Sequence, residues 1–267
     1  MDITAYLKRI NHAGSLSPTA QTLRQLHVAH LLTVPFENLS IHWGEPIVLD
    51  DEALFEKIAV RRRGGFCYEL NGLFASLLRA LGFHVVMLSA SVMNGRGEFG
   101  PEFDHMTLMV TLDERWIVDV GFGDSFREPL RLAEGPEQEQ GQRAYRIEED
   151  GGGRLVLIER GDRGEWKPLY RFSCEPHVYK DYAGMCHHHQ TSADSHFTQQ
   201  RICSLATEEG RMTLSGMRLI ITRGGERQER ELENEKEYGE VLQTHFGIEA
   251  LPKQVLQQTA MSRLSED

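Results

Sequence analysis

A thiol, an imidazole and a carboxylate that meet at one point suffice for acyl transfer: the thiol attacks a carbonyl, the imidazole takes its proton, and the carboxylate holds the ring. Cys67, His105 and Asp119 are of those three types. Cys67 sits in Arg61-Arg62-Arg63-Gly64-Gly65-Phe66-Cys67-Tyr68-Glu69-Leu70-Asn71-Gly72, just ahead of Leu70, Leu73, Phe74, Leu77, Leu78 and Leu81 at helical spacing. A cysteine at a helix N-terminus meets N–H groups and a dipole that favour the thiolate, and the three arginines would add positive potential. Gly64-Gly65 is read as a turn with backbone angles closed to other residues. The competing reading is a buried, small, apolar cysteine, and on this stretch alone it stands slightly ahead.

The elements that must position these groups follow from periodicity. Residues 3–83 read as a small helical bundle, with breaks at 15–18 and at Val34-Pro35 and an N-cap near Asp50. At Gly82 the period changes to alternation, and strands are expected at 85–92, 105–111 and 115–120. Asp113-Glu114 is a short polar connector, so the last two pair as a hairpin and bring positions 105 and 119 within about two rungs, inside side-chain reach. Further strands are expected at 143–148, 154–159 and 169–174, which makes the middle third an antiparallel sheet or barrel. Residues 134–142 read as a solvated connection and 181–197 as a polar, histidine-dense one. Beyond them lie expected strands at 201–206, 212–215 and 219–222, a charged turn over 226–237, a helix over 238–246 stopped by Gly247, and a last helix over 252–264.

Composition narrows the function classes. With 40% hydrophobic and 26% charged residues, the 267-residue chain is an ordinary folded protein. Its 29 basic and 40 acidic residues give a formal charge of -11, which disfavours nucleic acid and anionic membranes as partners and means that an anionic cofactor needs a local basic pocket. Four cysteines without a CxxC pair point to a reducing compartment, and no secretory or membrane-spanning run is apparent, so a cytoplasmic location is expected. Oligomeric state is left open. The run Cys186-His187-His188-His189, with His177 and His196 nearby, offers metal-ligand types, but nothing completes a tetrahedral set, so a polar loop is the expectation and no metal is assigned.

Taken together, Val34-Pro35-Phe36-Glu37-Asn38-Leu39, Arg63-Gly64-Gly65-Phe66-Cys67-Tyr68-Glu69-Leu70-Asn71 and Trp116-Ile117-Val118-Asp119-Val120-Gly121-Phe122-Gly123 resemble, in order, the hallmarks of the arylamine N-acetyltransferase family. Tyr170-Arg171-Phe172, Glu175-Pro176, Gln190-Thr191-Ser192, Ser195-His196-Phe197 and Cys203-Ser204-Leu205-Ala206-Thr207 extend the likeness over nearly the whole chain. The resemblance implies an α+β fold with a cysteine-protease-like triad core: an N-terminal helical bundle (1–84) carrying the nucleophile, a central antiparallel β-barrel (85–190) carrying His and Asp, and a C-terminal α/β lid (191–267). It implies ping-pong acetyl transfer from acetyl-CoA to an arylamine, arylhydrazine or N-arylhydroxylamine, with Cys67 as nucleophile, His105 as base and Asp119 as orienting group. Phe36, Tyr68 and Phe122 would line the acceptor pocket, while Val92, Asp104, Gly121, Phe122, Gly123, His188, Asp194 and His196 would contact CoA. Asp194 would repel phosphate, so CoA is expected to be held mainly by its pantetheine arm and the Gly121–Gly123 turn, with His188 or His196 compensating. Arg63, Glu37 and Asn38 are expected to brace the structure behind the cysteine. A hydrolytic or transglutaminase-like cysteine acyltransferase and a non-catalytic binding module remain alternatives.

Overall fold

The computed structural model describes residues 1–161 and 164–249. Its first helices start where capping chemistry allows. Asp2 accepts from the Ala5 N–H at the start of α1 (Ile3–Arg9), and Thr19 accepts from the Thr22 N–H at the start of α2 (Ala20–Leu31). A two-residue strand, β1 (Phe36–Glu37), α3 (Leu39–Trp43) and α4 (Asp51–Phe55) follow, and α4 runs into one π-helical turn, Glu56–Val60. The central helix is α5 (Cys67–Ala80). Its residues from Cys67 to Ala75 are all buried, so it is covered on every side rather than along one stripe.

Eight strands follow α5: β2 (His84–Val92), β3 (His105–Thr111), β4 (Arg115–Val118), β5 (Leu130–Arg131), β6 (Gln138–Gln140), β7 (Arg143–Glu149), β8 (Leu155–Arg160) and β9 (Trp166–Phe172). They pair antiparallel in the order β5, β4, β3, β2, β9, β8, β7, β6. Period-two alternation divides their side chains. Val85, Met87, Met106, Leu108 and Val110 pack against the helices, whereas Leu88, Ala90, Met109, Tyr145 and Tyr170 fill the interior. The sheet is a nearly closed barrel, and side chains span its remaining seam. Gln138 accepts from the Arg131 N–H at 2.7 Å and donates to the Arg131 carbonyl at 3.0 Å, and Gln140 accepts from the Arg127 and Glu128 N–H groups and donates to the Glu128 carbonyl.

The rest of the chain forms α6 (Tyr179–Thr191), α7 (His196–Gln199), β10 (Ile202–Thr207), β11 (Gly210–Ser215), β12 (Arg218–Arg223), β13 (Glu226–Glu231) and α8 (Glu235–Phe246). A second antiparallel sheet runs β1, β10, β11, β12, β13. Helices α3 and α8 cover one of its faces through Leu39, Trp43, Tyr238, Leu242 and Phe246.

The α+β class is as expected, with helices, a barrel and a smaller sheet in chain order. Three segments differ from the sequence reading. Residues 134–142 carry β6 and close the barrel, and much of 181–197 is helix α6 rather than a connection. The charged segment 226–237 holds β13 and the start of α8. The helix expected over 252–264 lies outside the described residues. Among the described residues no helix is long and apolar enough to cross a membrane.

Candidate active site

Cys67 is the first residue of α5 and is buried. Glu69 fixes this helix start by accepting from the Phe66 N–H at 3.1 Å, and Lys57 pairs with the same carboxylate at 2.6 Å. The preceding loop needs glycine for space rather than for angle. A Cβ on Gly64 would lie 1.9 Å from the Pro35 carbonyl oxygen, yet neither Gly64 nor Gly65 has a positive φ; that conformation falls on Arg62, at φ 54. The loop is stitched to β1, with the Glu37 N–H donating to the Gly65 carbonyl at 2.8 Å, and β1 is paired with β10. One short strand therefore ties the cysteine loop to the second sheet.

Arg61 and Arg63 serve this bracing rather than the thiol. Arg63 donates through Nε and Nη2 to the two oxygens of Glu37, at 2.9 and 3.1 Å, and through Nη1 to Glu45 at 3.0 Å; Arg61 also pairs with Glu45, at 2.7 Å. Asn38, expected in the same cluster, instead donates to the carbonyls of Phe197 and Gln200 and accepts from the Ile202 N–H.

The β3–β4 register, with Leu108 opposite Val118, brings His105 and Asp119 together as the hairpin reading expected. His105 Nε2 lies 2.6 Å from Asp119 Oδ2, and the Cys67 side chain is near enough to the same imidazole to act on its charge. With Nε2 on the carboxylate, Nδ1 is the nitrogen available to the thiol. Burial alone would lower the His105 pKa, but the Asp119 charge and hydrogen bond, together with Cys67, push it up to about 10. Burial would raise the Asp119 pKa, and His105, Asn71 and the Gly121 N–H hold it below its ordinary value.

Two residues that position Asp119 were not singled out in the sequence. Asn71 Nδ2 donates to Asp119 Oδ1 at 2.8 Å and to the Met106 carbonyl at 2.6 Å, and its Oδ1 accepts from the Val120 N–H at 2.8 Å. It lies four residues after Cys67, on the same helix face, and that spacing was its available signal. His27 reaches in from α2: Nδ1 is 2.7 Å from the Arg127 carbonyl and Nε2 is 3.2 Å from the Asp119 N–H. One neutral tautomer, with its proton on Nδ1, satisfies both contacts, and burial keeps the His27 pKa below its ordinary value. Gly121 completes the fit, because a Cβ there would lie 2.8 Å from the Cys67 Cα.

Cys67 and His105 open onto a cavity of about 780 Å³ walled by Phe36, Phe122 and Phe197. Phe122 stands edge-on to His105, with ring centroids 5.2 Å apart. Of the other residues expected here, Val92, Asp104, Gly121, Gly123 and His196 line the same cavity. Asp119 lies behind His105 and is buried, whereas His188 and Asp194 are exposed and outside the wall. Tyr68 also lies outside it. Tyr68 is fully buried, and its hydroxyl donates to the Phe103 carbonyl at 2.6 Å and approaches the Asp104 carbonyl at 3.2 Å. Phe103 has φ 64, a strained conformation for a bulky residue, two positions before His105. Tyr68 therefore clamps the start of β3 rather than facing the cavity. In the Cys-His run, α6 turns Cys186 and His189 inward and His187 and His188 outward.

A helix-terminal cysteine beside a histidine–aspartate pair at the wall of a cavity has the groups that acyl transfer through a thiol requires, and the family model for N-acetyltransferases matches residues 19–255. The arylamine N-acetyltransferase of Mycolicibacterium smegmatis is 36% identical over 256 residues, covering 93% of this chain and 92% of that protein. The structure of Mycobacterium marinum arylamine N-acetyltransferase superposes with a TM-score of 0.89 at 34% identity, covering 97% of this chain and 98% of that one, and the same enzyme in complex with CoA gives 0.88. The chain belongs to the arylamine N-acetyltransferase family of acyltransferases.

Proposed function

We propose that the protein carries an acetyl group from acetyl-CoA to an aromatic amine, hydrazine or N-arylhydroxylamine through an acetyl-Cys67 intermediate. The observation that carries this reading is the Cys67–His105–Asp119 relay at the wall of an aromatic-lined cavity. The likeness to an enzyme solved in complex with CoA supports the donor.

In the first half-reaction the sulfur, its proton held by His105, attacks the thioester carbonyl. Backbone N–H groups of the first turn of α5, beside the sulfur, are the donors we assign to the oxyanion. The C–S bond to CoA then breaks, and the departing thiolate takes the proton from His105. The donor and the acetyl-Cys67 product are both thioesters, so this step is close to balanced in energy. In the second half-reaction an aromatic amine, weakly basic and unprotonated at neutral pH, attacks the acetyl carbonyl. His105, now neutral, removes the amine proton as Cys67 leaves, and Asp119 stabilises the imidazolium that forms. Phe36, Phe122 and Phe197 suit a flat aromatic acceptor. Four free cysteines agree with a reducing compartment such as the cytoplasm.

Steady-state rates measured over a grid of acetyl-CoA and arylamine concentrations test the two-step route. Parallel double-reciprocal lines are expected; intersecting lines would show that both substrates must be bound together, and hydrolysis of acetyl-CoA without amide product would overturn the assignment.

A further inference from the structure

A chain of formal charge -11 that uses an anionic donor needs local positive potential, and the cavity wall holds one permanent cation among the described residues. That cation is Arg211 on β11, which lines the cavity together with Ser204 and Thr213 of the second sheet. Its guanidinium donates to Ser204 at 3.1 Å and lies 3.2 Å from Asp124. Behind it a cleft of about 530 Å³ runs between the barrel and the second sheet, and Asp124, Arg211 and Thr213 line both spaces.

The inner part of this cleft is short of negative charge. Asp124 is shared, because Arg143 already grips both of its oxygens, at 2.9 and 3.1 Å, and also reaches Glu159 at 3.1 Å. Among the described residues Arg127 has no carboxylate within bonding distance, and it is bound to the carbonyls of Thr207, Glu208 and Gly210. Three guanidinium groups thus face two carboxylates. Burial and the neighbouring guanidiniums hold the Arg211 pKa below its ordinary value, and Asp124 offsets only part of that. The acidic groups of the rim are committed elsewhere or stand outside this cluster: Glu128 pairs with Arg24 and Glu209 with Arg223, while Glu208 is exposed. Arg227, the fourth arginine of the cleft, pairs with Glu229. The Ser125 hydroxyl, buried in the same cleft, has no partner among the described residues.

We infer that Arg211, backed by Arg127 and Arg143, forms a phosphate subsite that holds the nucleotide end of the acyl donor as it passes from the catalytic cavity into the arginine cleft. The inference rests on the acetyl-CoA reading above. A phosphate that displaces the half-exposed Asp124 from Arg211, leaving that carboxylate to Arg143, gives Arg211 the full counter-ion that Asp124, divided between two arginines, does not supply. It also assigns the nucleotide contact away from Asp194 and His188, which lie outside both spaces.

The test compares two donors, acetyl-CoA and S-acetylpantetheine, which lacks every phosphate, in the wild type, Arg211→Gln and Arg143→Gln. Loss of one charge-assisted contact is expected to lower the kcat/KM ratio of acetyl-CoA to S-acetylpantetheine about tenfold in Arg211→Gln, with a smaller drop in the same direction in Arg143→Gln. Binding of free CoA, followed by calorimetry, should weaken with salt in the wild type and respond less in Arg211→Gln. An unchanged ratio in both variants, in protein whose thermal unfolding matches wild type, overturns the subsite, as does an equal loss with both donors. Absence of acetyl transfer from either donor in the wild type would instead overturn the acetyl-CoA reading itself.

Discussion

Replacing Asp119 by asparagine keeps the shape of the relay and changes its proton arrangement. Asp119 Oδ1 accepts from Asn71 and the Gly121 N–H, so the amide oxygen of Asp119→Asn must stay on that side. Its NH2 group then faces His105 Nε2, which becomes an acceptor, and the imidazole proton moves to Nδ1, the nitrogen that should take the thiol proton. The charge that held the imidazolium is lost at the same time. His105 is pushed up to about 10 from an ordinary 6.5, and burial opposes that shift. Without the carboxylate its pKa returns to 6.5 or below, so at pH 7 the imidazolium, almost fully populated in the wild type, falls to about a quarter or less. Iodoacetamide alkylation of Cys67 at pH 7 should slow about fourfold or more. The gap between the wild-type and variant rates should shrink as pH rises toward 10, where His105 loses its proton in the wild type as well. Stability should follow the same pair. The raised His105 pKa gives stability that is full below 6.5 and is lost as pH rises through about 10, and the depressed Asp119 pKa gives stability that is lost as pH falls below 3.8. The Tm gap between wild type and Asp119→Asn should therefore be widest near pH 5 to 6 and shrink toward pH 10. An Asp119→Asn protein that is alkylated at the wild-type rate with the wild-type pH profile would refute this reasoning.

Tyr68→Phe removes the hydroxyl that clamps the strained Phe103 while keeping the buried ring, so kcat should fall about tenfold with KM for the donor little changed; equal losses in kcat/KM through KM alone would place Tyr68 at the substrate instead. Glu37→Gln leaves Arg63 buried without its main counter-ion, and urea unfolding should show a loss of about 3 kcal/mol or more, whereas a loss below about 1 kcal/mol would make the pair dispensable.

Cys67 and His105 were legible because each opens an element with a strong period, a helix of leucines and a strand of a hairpin, and Asp119 because it directly follows the hairpin's second strand, whose register the short connector fixes. The elements missed lack that contrast. β13 is exposed at every position and pairs on one side only, so Glu226 to Glu231 carry no apolar alternation. Helix α6 buries Tyr182, Cys186 and His189, a helical spacing written in residues that do not read as a core stripe. β6 holds the barrel through glutamine amides rather than apolar packing. Tyr68 looked like a pocket residue because it follows Cys67, but one helical step of about 100° turns it from the cavity into the core. The arginine cleft was out of reach because Arg127, Arg143 and Arg211 converge only when the second sheet folds onto the barrel, and nothing in their local sequence marks the meeting point.

The central claim is that Cys67 carries the acetyl group. Intact-mass spectrometry of reduced protein mixed with acetyl-CoA should show one added acetyl group, located on the peptide containing Cys67, absent from Cys67→Ala and discharged when an arylamine is added. An unmodified mass in freshly reduced, folded protein, or an adduct that persists in Cys67→Ala, would contradict it.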